Sequence, residues 1–311
     1  MLLYRHLNDL PFDKLVSGSV VTIGAYDGLH LGHVQLLDRV IAASKQRGLP
    51  SIVMSFEPTP GEFFSASSPP ARLMRFREKF EALADYGIDI FYCPRFDGQI
   101  RDMPADAFIR RILIHGLCAR YLVVGDDFRF ARRREGGIEL LQRVSGALDY
   151  TVEQVPSIVV DGVRVSSTAI RDALGTGDMD RATALLGRPY RMSGKIVRGE
   201  KMGRRLGFPT ANVDLRRRQS AVIGIFAVRV HGLAAGPMDG VASVGSRPTF
   251  NGTKPILEVH IFDFDEVIYG EYIHIDFIAY LRDQKKYDTV DELVAQMHCD
   301  AGKARGLLHS G

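Results

Sequence analysis

The segment Val20-Val21-Thr22-Ile23-Gly24-Ala25-Tyr26-Asp27-Gly28-Leu29-His30-Leu31-Gly32-His33 decides the architecture of the first half of this chain. Its first four residues are an apolar run typical of a buried strand, and apolar side chains follow His33 at helical spacing. The glycine-rich part between them is therefore a strand-to-helix turn. A helix N-terminus offers free N–H groups and a positive dipole end, and glycines let the backbone approach an anion. The turn therefore predicts a phosphate site.

Two histidines, His30 and His33, end this turn in an H-x-G-H string. Imidazoles can donate hydrogen bonds to negative charge that develops on a phosphoryl oxygen, so we predict both as catalytic side chains. The simpler interpretation is a helix N-terminus with two partly exposed histidines. The preceding strand, the glycine-rich run and the following helix favour the catalytic interpretation.

Short apolar runs and helical patterns alternate outward from this segment as far as residue 186. The predicted strands are Val20–Ile23, Ser51–Phe56, Ile88–Cys93 and Tyr121–Gly125, and the predicted helices are Val34–Arg47, Arg77–Tyr86 and Asp106–Leu117. Such alternation favours an α/β, Rossmann-like domain with a parallel sheet covered on both faces. Ligands of these sheets bind beyond the carboxyl ends of the strands. The segments that follow the strands are therefore expected to converge on one crevice.

The pattern changes after Gly187-Arg188-Pro189. Short, alternating, β-branched runs separated by Gly and Pro follow, namely Tyr190–Val197, Ile225–His231, Gly240–Val244, Ile256–Phe262 and Tyr272–Leu281. They favour an antiparallel barrel or sandwich, closed by one or two helices within Thr289–Leu308. We predict two domains, residues 1–186 and 187–311.

Composition limits the class of protein. Apolar residues make up 46% of the 311 residues and charged residues 25%, which is ordinary for a globular protein. A net charge of +3 is too small to indicate nucleic-acid or membrane binding. The three cysteines have no metal-ligand spacing and no disulfide pattern, and we find neither a signal peptide nor an apolar run of membrane-spanning length. We expect a cytoplasmic location, while the oligomeric state is left open.

Two further strings contain candidate phosphate ligands. Gly125-Asp126-Asp127-Phe128-Arg129-Phe130 follows a strand, and its carboxylates suit a ribose hydroxyl or a metal-bound water. Ser166-Ser167-Thr168-Ala169-Ile170-Arg171 begins a helix, where hydroxyls, N–H groups and a guanidinium can hold phosphates. Taken alone, the first string is also consistent with a solvated loop, and a string such as the second is more often only a helix cap.

The first half resembles the FMN adenylyltransferase module of the bacterial bifunctional riboflavin kinase/FMN adenylyltransferase family. The resemblance rests on the turn Gly24–His33, called the glycine-histidine turn below, on Phe56-Glu57-Pro58 and on the strings at Gly125–Phe130 and Ser167–Arg171. It implies that His30 and His33 assist attack of the FMN phosphate on the α-phosphate of ATP. The implied nucleotide or phosphate ligands are Gly24, Tyr26, Asp27, Gly28, Asp127, Ser167, Thr168 and Arg171, and the implied flavin contacts are Phe56, Pro58 and Phe128.

The first half departs from the family pattern at two positions. The family usually reads F-E-P-H-P, but Thr59 occupies the fourth position here, so a histidine contact to flavin or phosphate is expected to be missing. Ala131 replaces a glycine that often follows the second Phe of G-x-x-F-x-F. Neither change affects the two histidines.

A glycine-rich, basic string in the second half, Gly199 to Val213, ends in Gly207-Phe208-Pro209-Thr210-Ala211-Asn212. The chain has no G-x-x-x-x-G-K-[ST], so any phosphoryl transfer here is not of the Walker type. Backbone N–H groups of such a loop, including Gly203 and Gly207, can still hold phosphates. The side-chain oxygens of Thr210 and Asn212 suit Mg²⁺. An ordinary β-connection remains the alternative for the glycines alone.

Glu258 lies in an alternating strand, Leu257–Phe262. A lone Glu on such a strand usually faces solvent, while the functional interpretation is a general base for a substrate hydroxyl.

The second half resembles riboflavin kinase along nearly its whole length, and G-F-P-T-A-N is its most specific string. Further matches are Gly224–Val228, Gly245–Phe250, Leu257–Phe264, Tyr269-Gly270 and Leu281-Arg282. The resemblance implies a six-stranded barrel with Thr210 and Asn212 at Mg²⁺ and the ATP phosphates, Glu258 as the base for the riboflavin 5′-hydroxyl, and Arg282 near the flavin entrance.

The whole chain is thus predicted to convert riboflavin into FMN and FMN into FAD, with ATP as co-substrate and Mg²⁺ as cofactor. Its predicted partners are the small molecules riboflavin, FMN, FAD and ATP. The alternatives are a kinase with a degenerate, regulatory first half, a flavoprotein that stores or senses flavin, and a nucleotidyltransferase for another alcohol phosphate. FAD formation from FMN distinguishes the first alternative, and flavin binding without ATP consumption the second.

Overall fold

The computed structural model describes residues 1–199, 203, 206–249 and 252–309 of the chain. These residues form two compact units. The first contains residues 1–70 and 74–165, and the second contains residues 71–73 together with the described residues from 166 onward. Glu200 to Met202, Arg204, Arg205 and Phe250, which belong to strings quoted above, lie outside the described residues.

A six-stranded parallel sheet forms the centre of the first unit. Its strands are β1 (Leu2–Tyr4), β2 (Ser19–Ile23), β3 (Ser51–Met54), β4 (Ile90–Tyr92), β5 (Ala119–Gly125) and β6 (Thr151–Val155). They lie in the order β1-β4-β3-β2-β5-β6, so β2 and β3 occupy the middle. A two-stranded ribbon, β7 (Val159–Val160) and β8 (Val163–Arg164), follows.

Helices surround this sheet. They are α1 (Phe12–Leu15), α2 (Leu31–Arg47), α3 (Pro60–Phe64), α4 (Phe76–Asp85), α5 (Gly98–Arg101), α6 (Ala105–Ala107) and α7 (Ile138–Ser145), with a π-helical segment at Phe108–Ile114. Alternate strand residues enter two different cores, as Val20 and Val53 do on one face and Val21 and Ile52 on the other. All four side chains are fully buried, which is the pattern of a sheet covered on both faces.

A closed antiparallel barrel forms the centre of the second unit. Its strands are β9 (Tyr190–Val197), β10 (Ala211–Asp214), β11 (Gly224–His231), β12 (Met238–Thr249), β13 (Gly252–Ile261) and β14 (Tyr272–Arg282). They follow the order β10-β13-β12-β11-β14-β9, and β9 pairs with β10 to complete the closure. Phe226, Val228, Ile275 and Phe277 are fully buried.

The described residues of this unit also form the helices α8 (Ser167–Gly175), α9 (Met179–Leu186) and α10 (Val290–His309). Ala304 and Leu308 of α10 pack in one buried cluster with Ala227 and Phe262 of the barrel. Helix α9 ends at Gly187, whose left-handed backbone (φ 76°) terminates it just before β9.

The predicted fold class is confirmed in both units, and the predicted strand Tyr190–Val197 has the predicted bounds. The closing segment is one helix, which settles the choice between one and two. The sequence patterns missed the helices α1, α3, α5, α7 and α9 and the strands β1, β6, β7, β8 and β10. Each of these strands has five residues or fewer, too short for a clear periodicity.

Candidate functional sites

The glycine-histidine turn of the first unit has an unusual backbone. Tyr26, Gly28 and Leu29 have φ values of 49°, 93° and 44°, so two residues with Cβ atoms adopt the left-handed region. Tyr26 is completely buried, and its hydroxyl lies 2.6 Å from Oγ1 of Thr22 on β2. Burial of the hydroxyl raises the pKa of Tyr26, which keeps it neutral. Packing of the buried Tyr26 side chain thus stabilises left-handed backbone angles that residues with a Cβ atom disfavour.

His30 is the N-cap of α2. Its Nδ1 atom accepts a hydrogen bond of 3.3 Å from the backbone N–H of His33, and its side chain is buried. Because Nδ1 is the acceptor, the proton of a neutral His30 lies on Nε2. The cap therefore fixes both the orientation of the imidazole and the nitrogen that can donate to a ligand.

His33 stacks on His30, with ring centroids 3.7 Å apart and ring planes 15° apart. Its Nδ1 atom is buried and has no hydrogen-bond partner among the residues that the structure describes. Burial, then the charges of His30 and Lys79, hold the pKa of His33 well below its usual range. A neutral imidazole with an unsatisfied buried nitrogen is an unusual arrangement that a bound ligand would complete.

The side chain of Asp27 also fixes the backbone of this turn. One oxygen of its buried carboxylate accepts a 2.9 Å hydrogen bond from the N–H of Met74. The contact ties the turn to the segment that enters α4. Asp27 was predicted as a nucleotide or phosphate ligand, and this bond assigns one of its oxygens to the protein itself.

The predicted flavin contacts of the first unit lie among aromatic side chains. Phe56 is buried, with Phe96 edge-on at 5.4 Å, and Phe63 and Phe64 also pack against Phe96. Pro58 follows Glu57 through a cis peptide bond. Phe128 stacks on Phe130 at 5.5 Å and is half-buried. The side chain of Phe64 is largely exposed.

Thr59, the departure from the family pattern, is the N-cap of α3. Its hydroxyl lies 3.0 Å from Oε2 of Glu62 and accepts from the Glu62 N–H, while Glu62 accepts from the Thr59 N–H, which makes a complete capping box. Threonine at this position has a local structural role that histidine is poorly suited to fill.

The carboxylates after β5 have protein partners. Asp126 accepts hydrogen bonds from the Ser157 hydroxyl at 2.6 Å and N–H at 2.9 Å, and Asp127 lies 2.6 Å from the guanidinium of Arg164. The Ser157 hydroxyl, then its N–H, hold the pKa of Asp126 below its usual value. Asp127, predicted as a nucleotide ligand, is more exposed than Asp126.

Ser167, Thr168 and Arg171 belong to the second unit, on α8. Ser166 caps this helix by accepting from the N–H of Ala169. Nε of Arg171 donates to the carbonyl oxygen of Ala71 at 2.6 Å. This bond gives Arg171 a structural contact in addition to its predicted phosphate role.

The barrel of the second unit contains an 860 Å³ cavity. It brings together Gly203, Thr210, Asn212, Glu258 and Arg282, five of the six residues predicted for this half. Gly207, the sixth, has a left-handed backbone (φ 80°) beside the lining residues Leu206 and Phe208. The volume is in the range of natural cofactor sites.

Close packing explains the glycine at position 203. A Cβ atom there would lie 2.4 Å from the carbonyl oxygen of Phe208 and 3.2 Å from Oγ1 of Thr210. The Gly203 carbonyl accepts from the N–H groups of Leu206 and Phe208 at 3.0 and 2.9 Å, which folds the segment back on itself. Phe208 is buried edge-on against His260 and His298, and Nδ1 of His260 lies 2.9 Å from the Pro209 carbonyl oxygen.

Strand pairing sets the positions of Asn212 and Glu258. The two residues are register partners on β10 and β13, and Ser243 of β12 is the partner of Glu258 on its other side. Nε2 of Gln284 donates to Oγ of Ser243 at 3.1 Å, and both residues line the cavity. The sequence patterns missed Ser243 and Gln284. Neither residue belongs to a recognisable motif, and only the strand register of the barrel places them at the cavity.

Arg282 is bound to helix α10. Its guanidinium forms bonds of 2.7 to 3.0 Å with both oxygens of Asp300, which is buried, and Gln296 adds a fourth bond of 2.9 Å to Asp300. Burial alone would lower the pKa of Arg282, but the bonds to Asp300 raise it. Leu293, Met297 and Ala301 of α10 also line the cavity.

The described part of the chain contains no group of three or more His, Cys, Asp or Glu side chains that could hold a metal ion. The hydroxyl of Thr210 and the amide oxygen of Asn212 are hard oxygen donors at the cavity wall, next to a carboxylate. This donor set fits Mg²⁺ that is held mainly by nucleotide phosphates and water.

The two halves match two family models. The FAD synthetase model covers residues 13–169, and the riboflavin kinase model covers residues 186–308. A Haemophilus influenzae protein named bifunctional riboflavin kinase/FMN adenylyltransferase is 38% identical over the full length of both chains. The chain belongs to the bifunctional riboflavin kinase/FMN adenylyltransferase family. Family members from Escherichia coli and Pseudomonas fluorescens are 43% and 40% identical over 93% and 99% of this chain, and over 92% and 98% of their own.

A solved structure supports the same architecture along the whole chain. A Streptococcus pneumoniae protein described as a macrolide-efflux protein matches with a TM-score of 0.82 and 30% identity, over 98% of each chain. In the described residues of the present chain, we find no helix that is both long enough and apolar enough to cross a membrane.

Proposed function

We propose that this chain makes FMN from riboflavin in the barrel and converts FMN into FAD at the glycine-histidine turn of the first unit. The observation that supports the first step most directly is the pairing of Asn212 with Glu258 on the wall of a cavity that also contains Gly203 and Thr210. Phosphoryl transfer to a hydroxyl requires a loop that binds phosphates, oxygen donors for a metal ion and a base that accepts the hydroxyl proton. Candidates for all three line this cavity.

In the kinase step, Glu258 accepts the proton of the riboflavin 5′-hydroxyl as its oxygen attacks the γ-phosphorus of ATP. The bond from this phosphorus to the β-γ bridging oxygen breaks, and the products are FMN and ADP. Thr210 and Asn212 would hold Mg²⁺, which supplies charge neutralisation to the phosphates when bound. Arg282 and the apolar residues of α10 border the flavin end of the cavity.

In the adenylyl step, an oxygen of the FMN phosphate attacks the α-phosphorus of ATP, pyrophosphate leaves, and FAD forms. His30 donates from Nε2, and His33 donates from a neutral ring that its burial keeps unprotonated. The backbone of Gly24, Tyr26 and Gly28 surrounds the phosphates, and Phe56, Pro58 and Phe128 contact the flavin. The phosphate contacts of Asp27, Asp127, Ser167, Thr168 and Arg171 remain predictions.

We propose the division of activities at residues 186 and 187, because the riboflavin kinase match begins at 186. Helices α8 and α9, which precede this boundary, belong by their contacts to the second compact unit. The free cysteines and the composition support a cytoplasmic location.

A time course with riboflavin, ATP and Mg²⁺ tests the proposal, with riboflavin, FMN and FAD separated by chromatography. FMN that rises and then falls as FAD appears is the expected result. FMN accumulation without FAD, under both aerobic and reducing conditions, would contradict the adenylyl step. Absence of FMN from a folded sample would contradict the kinase step.

A further inference from the structure

Helix α4 contains a buried lysine that the reaction scheme above leaves without a role. Lys79 is 3% exposed, although it carries an ammonium group. Removing such a charge from water costs several kcal/mol unless polar atoms of the protein replace the solvent. Its Nζ atom donates to the carbonyl oxygen of Ala25 and lies 3.5 Å from Oγ of Ser55. The lysine therefore lies between the turn after β2 and the turn after β3.

The Ala25 carbonyl is the centre of this contact. It also accepts a 3.2 Å hydrogen bond from the hydroxyl of Ser55, which is completely buried at the end of β3. Two residues further along, Asp27 accepts from the N–H of Met74, just before α4 begins. The segment Met74–Lys79 thus holds the turn on both sides of Tyr26.

This double attachment explains how the turn keeps its backbone. Left-handed φ values at Tyr26 and Leu29 are unfavourable for residues with a Cβ atom, and they persist only where surrounding contacts impose them. The attachment also matters for charge, because a carbonyl oxygen that points toward a phosphate would repel it. Because Nζ of Lys79 donates a hydrogen bond to the Ala25 oxygen, the negative end of this carbonyl is neutralised and the turn is better suited to an anion.

Lys79 also acts on His33 through its charge. Burial lowers the pKa of His33 most, and the charges of His30 and Lys79 lower it further. The other titratable ring packed on His33 is that of Tyr26, 4.9 Å away, which burial keeps neutral. The lysine thus affects both the backbone and the protonation state of the site.

We infer that Lys79 is a positioning residue for adenylyl transfer, which holds the Ala25 carbonyl away from the phosphates and fixes the turn that presents His30 and His33. This inference rests on the proposed adenylyl step of the first unit. The geometric observation that carries it is the contact of one buried ammonium group with the turns after two adjacent central strands.

The test compares full-length wild type with Lys79→Met and Lys79→Arg. FAD formation from supplied FMN is measured together with FMN formation from riboflavin in the same preparations. We expect Lys79→Met to lower kcat for FAD formation about 100-fold, the effect of misplacing reacting groups by about 1 Å, with the KM for FMN changed less than threefold. Lys79→Arg retains the charge, so its kcat for FAD formation should be at least tenfold higher than that of Lys79→Met. FMN formation should be unchanged.

A second readout separates positioning from simple loss of folding. The imidazole titration of His33, followed by nuclear magnetic resonance, should shift to higher pH in Lys79→Met, because a repelling positive charge has been removed. Arg77→Met is the matched control, since Arg77 lies on the same helix, is 67% exposed and pairs with Glu81. It should leave both activities and the titration unchanged.

The outcomes are distinguishable. If wild type forms FAD and Lys79→Met does so within threefold of it, the inference is wrong while the proposed function stands. A Lys79→Met variant that loses FAD formation with an unshifted His33 titration and no recovery in Lys79→Arg also overturns the inference. If wild type forms no FAD, it is the proposed adenylyl step that fails.

Discussion

Asn212 and Glu258 lie directly opposite each other on the antiparallel strands β10 and β13. Directly paired residues have Cβ atoms about 4.5–5.5 Å apart, so their side-chain groups share one small region of the cavity wall. An amide oxygen suited to a phosphate-bound cation and a carboxylate suited to a hydroxyl proton are thereby held together by the backbone ladder. Side-chain packing alone would not fix their separation as firmly.

Replacing Glu258 by Ala tests its role as base. We expect FMN formation to fall about 10²–10⁴-fold, the usual contribution of a positioned base, while supplied FMN is still converted to FAD. Glu266→Ala, at an exposed position outside the cavity, serves as the control. A kinase rate within a few-fold of wild type would exclude Glu258 as the base.

The double substitution His30→Ala with His33→Ala tests the turn of the first unit. Loss of both imidazoles should abolish FAD formation and leave FMN formation intact, because the barrel lies in the other compact unit. His115→Ala, an exposed histidine of the first unit, is the matched control. Undiminished FAD synthesis in the double variant would refute the assignment of this site.

The bond between Arg282 and Asp300 predicts a selective defect. Asp300→Asn removes the buried charge that pairs with the partly exposed guanidinium of Arg282, so it should destabilise the second unit. Because Asp300 joins the cavity wall to α10, we expect the KM for riboflavin to rise more than the KM for ATP.

Helix α10 provides a matched control for this experiment. Asp263 pairs with Arg305 of α10, but its side chain is 75% exposed, so solvent screens the attraction between the two charges. Asp263→Asn should therefore change neither Michaelis constant. Equal effects of the two substitutions would mean that the Asp300 pair has no special relation to the flavin end of the cavity.

The lowered pKa of His33 predicts a pH dependence of local stability. Below pH 6.5 the unfolded chain binds a proton at His33 that the native turn does not, so its contribution is present above that pH and declines as the pH falls toward the native value. The loss approaches about 1.4 kcal/mol per pH unit. Hydrogen exchange of α2 amides between pH 7 and 5 should show this loss in wild type and a smaller one in His33→Gln. Identical slopes would contradict the buried, neutral state of His33.

Much of the architecture could be predicted because periodicity is strong where burial is strong. Strands β2 and β3 are buried at every position, so their sequences are mostly apolar, with Ser and Thr as the only polar side chains. Strand β10 is only Ala211–Asp214, and its Asn212 and Asp214 resemble a loop. Only closure of the barrel between β9 and β13 makes this segment a strand.

The sites divide in the same way. His30, Thr210 and Glu258 could be predicted as candidate site residues because they belong to local strings. Lys79 and Asp300 could not, because each is defined by a contact with a distant part of the chain, the Ala25 carbonyl in one case and Arg282 in the other. At Thr59 the sequence predicts only the loss of a histidine contact, and the structure adds that this threonine caps a helix.

The barrel register has a consequence for engineering this protein. Hydrogen-bonded ladders fix Glu258 and its register partner Asn212, whereas the preceding connection between β9 and β10 contributes the lining residues Gly199, Gly203, Leu206 and Phe208. The candidate phosphate-binding loop and the candidate base therefore lie in separable parts of the chain. A library that varies this connection while preserving β10 and β13 would sample new phosphate donors beside an unchanged Asn212–Glu258 pair.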